Sequence, residues 1–93
     1  MFVQESSLMY LVDRDLPGIT IVQLVATQRA EIETSQRFAA QGKRVRYIRS
    51  TFVPGESRCM CLFEASDAGV VQALNEAAQI PFTRIVEAVD LTP

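Results

Sequence analysis

Arg44-Val45-Arg46-Tyr47-Ile48-Arg49-Ser50-Thr51-Phe52-Val53-Pro54-Gly55-Glu56-Ser57-Arg58-Cys59-Met60-Cys61-Leu62-Phe63-Glu64-Ala65 is the stretch that decides the fold. Two runs rich in β-branched and aromatic residues flank Pro54-Gly55-Glu56-Ser57, a turn signal, so the segment reads as a β-hairpin with strands over 44–53 and 58–65. Pairing Val53 with Arg58 and stepping inward sorts the side chains by face, because alternate residues of a strand point to opposite sides. Ile48, Ser50 and Phe52 fall with Cys59, Cys61 and Phe63 on a face fit for burial beneath helices. Tyr47, Arg49 and Thr51 fall with Met60, Leu62 and Glu64 on a mixed face. Across the hairpin Glu64 then stands beside Tyr47 and near Arg49, an Arg-Glu-Tyr cluster with the character of a ligand site.

Upstream, Leu8 to Asp13 is a strand closed by Leu16-Pro17-Gly18, and Asp13, Arg14 and Asp15 are read as solvated charges beyond its end. Thr20 with Gln23 has the spacing of a capping box. The helix it opens runs from about Ile21 to Gln41, with Ile21, Leu24, Val25, Gln28, Ile32 and Phe38-Ala39 as its inward stripe and Gly42 at its stop. Downstream, Ser66-Asp67 caps a second helix to about Gln79, inward through Val70, Val71, Leu74, Ala77 and Ala78. Arg84 to Leu91 is the last strand. The order is thus β-α-β-β-α-β, an α+β, ferredoxin-like chain. Right-handed crossovers arrange it as a four-stranded antiparallel sheet of order 4-1-3-2 with both helices on one face. Nothing in the chain covers the other face. A second copy of the sheet packed there would cover it, so a homodimer is expected.

The 93 residues make a single domain, 1–93, with its core over about 8–91, since two cores would not fit in this length. A net charge of −2 argues against a nucleic-acid partner. Lys43, Arg44, Arg46 and Arg49 are the one basic concentration, suited to guarding an edge strand. The open face also lacks the pair of aromatic residues on its first and third strands on which RNA bases stack. No apolar run approaches the about 20 residues of a membrane span. Met1-Phe2-Val3-Gln4-Glu5 lacks the layout of a signal peptide. No membrane partner and a cytoplasmic location are expected.

Histidine is absent. That removes the commonest general base, the usual partner of a nucleophilic Ser or Cys, and the commonest metal ligand. No glycine-rich phosphate loop and no Cys-x-x-Cys pair is present. Cys59 and Cys61 share a strand face as reduced thiols; two ligands at that spacing fall short of a closed tetrahedral site, which makes them weak metal candidates and first of all packing residues. Asn75, Arg84 and Glu87 read as capping or surface groups.

Leu16-Pro17-Gly18-Ile19-Thr20, Ser50-Thr51-Phe52-Val53-Pro54, Cys59-Met60-Cys61-Leu62-Phe63-Glu64-Ala65, and Pro81-Phe82 with Arg84-Ile85-Val86-Glu87-Ala88 together resemble the small bacterial nickel-binding-protein-like family, over about residues 8 to 90. The resemblance implies a ferredoxin-like domain that dimerises into an α/β barrel, and it brings nickel into consideration as a cofactor. Members that hold nickel use histidines in the two helices and the last strand. This chain offers Gln28, Asn75 and Val86 there, so no bound cofactor is expected. The expectation is a homodimeric, non-enzymatic ligand-binding or accessory protein whose small-molecule ligand meets Tyr47, Arg49, Glu64 and Tyr10. The alternatives are a transition-metal binder and a cofactor-free monooxygenase- or isomerase-like enzyme using those same groups for proton transfer.

Overall fold

The computed structural model describes residues 8–93, so the reading of Met1 to Glu5 lies outside the described residues. The elements are β1 (Leu8–Asp15), α1 (Ile21–Ala40), β2 (Val45–Val53), β3 (Arg58–Ala65), α2 (Ala68–Ala77) and β4 (Arg84–Ala88). The strands form one antiparallel sheet in the order β2-β3-β1-β4, the arrangement expected from the sequence. Tyr10, Val12, Cys59, Cys61, Phe63 and Ala65 point from the sheet into a core closed by Val71 and Leu74 of α2.

Local chemistry explains where the elements begin and end. Thr20 accepts from the Gln23 amide while the Gln23 side chain accepts from the Thr20 amide, a complete capping box. Gly42 sits at φ +86°, a conformation open to glycine without strain, and ends α1. Asp67 caps α2 through the Val70 amide. The hairpin turn closes between Val53 and Arg58, which are paired as expected.

Three departures from the sequence reading place the site. First, β1 continues to Asp15. Arg14 therefore alternates in phase with Tyr10 and Val12 and points under the helices, where it is fully buried, while Asp13 is buried on the opposite face; neither is the solvated charge expected.

Second, a bulge at Ile48 interrupts the β2–β3 ladder. Arg49 pairs with Leu62, but Tyr47 pairs with Phe63 and Arg46 with Glu64. One extra residue inverts the faces of everything beyond it, so Tyr47 moves to the helix side and packs edge-on against Phe63, with ring centroids 5.5 Å apart.

Third, α1 does not bury the stripe expected of it. Its buried residues are Glu31, Thr34 and Ser35, while Ile21 and Val25 are exposed and Leu24, Ile32 and Phe38 half-buried. β4 also ends at Ala88, earlier than the Leu91 expected.

The sheet face away from the helices carries Met9, Leu11, Met60, Leu62 and Val86 in its middle. At one end Arg58 donates to both carboxylate oxygens of Asp13 at 2.9 Å, with Arg84 alongside, which holds the Asp13 carboxyl below its usual range. Arg49 pairs with Asp90, which lies beyond the end of β4. β2 and β4 are opposite edges of the sheet, about 14 Å apart at the usual strand spacing, more than the two side chains span. The chain after Ala88 therefore turns back over the open face.

Candidate functional site

The chemistry of the domain collects on the helix side, between α1 and the β2–β3 hairpin. Arg14 reaches across the core from β1. Its Nη2 donates to Glu31 Oε1 at 2.5 Å and to Asn75 Oδ1 at 2.8 Å, and its Nη1 donates to the Pro81 carbonyl at 3.2 Å. Asn75 is oriented by its own donation to the Val71 carbonyl. One guanidinium thus ties β1 to both helices and to the segment before β4. A buried Arg is costly unless its hydrogens are met, and here two side chains and a carbonyl accept three of them. Two buried polar atoms stay without a hydrogen-bond partner among the described residues, Arg14 Nε and Glu31 Oε2.

Glu31 faces a cavity of about 170 Å³ whose floor is β2 and β3 and whose roof is α1. Leu24, Val25 and Phe52 supply its apolar wall; Ser50, Cys59 and Cys61 supply its floor. The cavity follows from the departure of α1 from its expected stripe: with Val25 turned half outward, no side chain fills the space over the cysteines. Burial pushes the Glu31 carboxyl up to about 8, with the neighbouring Cys61 adding to the rise and Arg14 opposing it.

A hydrogen-bonded chain crosses the floor. Gln28 Nε2 on α1 donates to the Tyr47 hydroxyl at 3.1 Å, the Tyr47 hydroxyl bonds Ser50 Oγ, and Ser50 Oγ donates to Cys61 Sγ at 3.0 Å. Cys61 and Cys59 sulfurs stand 3.9 Å apart. An amide nitrogen only donates and each hydroxyl has one hydrogen to give. The direction of the chain is therefore fixed as far as Cys61; between the two thiols either sulfur can donate. The Cys59 thiol is held below the usual range, first by its bond with Cys61 and further by the Arg14 charge, while the Cys61 thiol is pushed up, first by that same bond and then by burial.

The candidates named from sequence are not assembled together. Tyr10 is buried in the core and Tyr47 bonds Gln28 and Ser50, two residues that line the cavity; both tyrosines lie on the helix side of the sheet. Arg49 and Glu64 remain on the open face in separate pairs, Arg49 with Asp90 and Glu64 with Arg46 at 3.1 Å. The Arg-Glu-Tyr cluster is absent because the bulge at Ile48 turns Tyr47 through the sheet. Cys59 and Cys61 are buried, as packing requires, but they also floor the cavity. The sequence reading missed Arg14 and Glu31. A signal existed for Arg14, since residues 10, 12 and 14 share strand parity. Glu31 offered none, because one carboxylate on a mostly polar helix looks like any solvated residue.

Among the described residues no group of three or more His, Cys, Asp or Glu side chains is gathered to hold a metal ion. No described helix is long and apolar enough to cross a membrane.

The fold resembles that of SCO4226 from Streptomyces coelicolor A3(2), known from a crystal structure. The TM-score is 0.75 at 23% identity, over 91% of this chain and 99% of that one. No functionally curated protein matches the chain. The model of the nickel-responsive SCO4226-like proteins matches residues 10–88. The match takes in both helices and all or most of every strand, and the chain belongs to the SCO4226-like family.

Proposed function

We propose that this chain is a homodimeric, non-catalytic binding protein that holds a small ligand in the cavity beneath α1. The observation that carries the reading is the unsatisfied Glu31 Oε2 at a cavity with an apolar wall and a polar floor. A buried polar atom without a partner costs about 1–3 kcal/mol, and a ligand that supplies the partner recovers it. Drug-sized ligands occupy about 300–1,000 Å³. A volume of about 170 Å³ suits a ligand of a few heavy atoms or an ion with its waters.

The family description makes nickel the first ligand to consider. The residues do not fit a histidine-based nickel site. The chain has no histidine, and the positions where the resemblance places such ligands are dispersed. Gln28 bonds Tyr47, Asn75 bonds Arg14, and Val86 belongs to the open face through its pairing with Leu11. An enzyme using Tyr10, Tyr47, Arg49 and Glu64 loses support for a similar reason, since two of those groups lie on each side of the sheet.

The open face supports the dimer: Leu11 and Met60, both half-buried, lie together there beside the already buried Leu62, and a second sheet would cover what they still expose. Light scattering at micromolar concentration tests this part, and a strict monomer overturns it. For the cavity, phenol and butanol serve as small amphiphilic probes in amide chemical-shift mapping. Shifts are expected at residues 24–28, 50–52 and 59–61 and lost in Leu24→Trp, which fills the space. Shifts confined to the open face refute the location.

A further inference from the structure

We propose that the ligand of this cavity is a short-chain monocarboxylic acid, bound with one proton shared between its carboxyl group and that of Glu31. The inference rests on the cavity reading above and names its ligand class.

Charge counting points to an acid. Arg14 is fully buried, and Glu31 is the one carboxylate paired with it among the described residues. Glu31 Oε1 takes the Arg14 hydrogen, which leaves Oε2 without a partner in a side chain that lines the cavity. A second carboxyl group set against Oε2, with one proton between the two, completes the site. One guanidinium, two carboxyl groups and one shared proton carry no net charge, whichever oxygen holds the proton, and two carboxyl groups in contact cannot both ionise. Other small ligands do less. An ammonium brings a second buried cation beside Arg14. An alcohol gives Oε2 a partner but no charge, so either Glu31 ionises in a buried site or Arg14 goes uncompensated.

The rest of the cavity suits the rest of such a molecule. Gln28 stands three residues before Glu31, on the same face of α1, and also lines the cavity. Its amide nitrogen carries two hydrogens and gives one to the Tyr47 hydroxyl, so the other is free to reach the second oxygen of the ligand. Leu24, Val25 and Phe52 form the wall against which an alkyl body packs. At about 30 Å³ for each water-sized group, a volume of about 170 Å³ holds about six heavy atoms, the number in a four-carbon monocarboxylic acid. Binding makes and breaks no covalent bond other than that of the shared proton.

The test is amide chemical-shift titration of the full chain, at constant ionic strength, with butyrate, butanol, butylammonium and acetate. Butyrate should shift residues 24–28, 50–52 and 59–61, and its methyl group should show contacts to the Leu24 and Val25 methyls. Butanol should bind at least about tenfold more weakly, the usual gap between a charge-assisted and a neutral hydrogen bond. Acetate, two methylenes shorter, should bind about 15-fold more weakly. Glu31→Gln should hold butyrate within about threefold, because its amide nitrogen donates where the shared proton stood, whereas Glu31→Leu should weaken it by more than about tenfold. The ranking of the four probes on wild type does not depend on either variant folding. Butanol or butylammonium binding as tightly as butyrate overturns the proposal, and so do butyrate shifts confined to the basic surface around Lys43. If butanol and phenol map to the cavity and butyrate does not, the ligand class is wrong and the cavity reading stands. If none of them maps there, both fall.

Discussion

Glu31→Gln should remove most of the pH dependence of stability between about pH 4.5 and pH 8. Glu31 is fully buried, and its carboxyl is pushed from an ordinary 4.5 up to about 8, chiefly by burial. Below 4.5 the folded and unfolded chains both hold the proton, and the group contributes no pH dependence. Between 4.5 and about 8 the unfolded chain has released it and the folded chain keeps it, so stability falls as pH rises; above about 8 both are ionised and the loss is complete. At about 1.4 kcal/mol per unit, the span from 4.5 to about 8 amounts to a loss of about 5 kcal/mol as a ceiling. Gln reproduces the shape and the acceptor oxygen that Arg14 uses, but it does not titrate.

The assay is urea denaturation followed by circular dichroism from pH 4.5 to 8.5. Wild type should lose several kcal/mol across the window while Glu31→Gln stays nearly level, and the two should be close at pH 5. Asp13 does not confuse the result, because its lowered carboxyl acts below 3.8. Parallel wild-type and variant curves would refute the placement of Glu31 as a buried, largely protonated acid.

Other perturbations test the frame around the site. Arg14→Met leaves Glu31 Oε1, Asn75 Oδ1 and the Pro81 carbonyl without their shared donor, and at about 1 kcal/mol or more for each it should lower stability by about 3 kcal/mol, a drop of more than about 12 °C in Tm. It should also carry the wild-type pH window higher, because the one charge opposing the rise of Glu31 is gone. Arg49→Ala should speed amide exchange over residues 89–92 while changing global stability by less than about 1 kcal/mol, since the Arg49 side chain is more than half exposed; unchanged exchange would argue that the C-terminal segment is held by something else. Gly42→Ala should cost about 1 kcal/mol in urea denaturation, because φ +86° strains any residue with a Cβ even though the space beside it is open.

The placement of Tyr47 shows how far local reading reaches. Its strand, its hairpin partner strand and the turn between them were all legible, because alternation and turn chemistry are properties of neighbouring residues. The bulge at Ile48 was not. A bulge is chosen where the sheet's twist and the packing against α1 favour one more residue on β2, and no residue type announces it. One uncounted residue was enough to send an expected open-face ligand group to the other side of the sheet. Arg14 shows the reverse: its parity was available, but three consecutive charged residues before Pro-Gly look like a solvated loop, and only partners from two helices make burial affordable.

The sequence by itself determined the element order, the sheet order, the capped helix starts and the family, and through the absence of histidine it set aside many mechanisms. These follow from periodicity, turn residues and composition, which act over a few residues. Tertiary structure alone decided which side of the sheet carries the chemistry. It brought together Arg14, Glu31 and Asn75 from β1, α1 and α2, and it left a space over Cys59 and Cys61. Burial, cavity volume and the direction of a hydrogen-bonded chain depend on groups far apart in sequence, and those distances exist only once the helices have settled on the sheet.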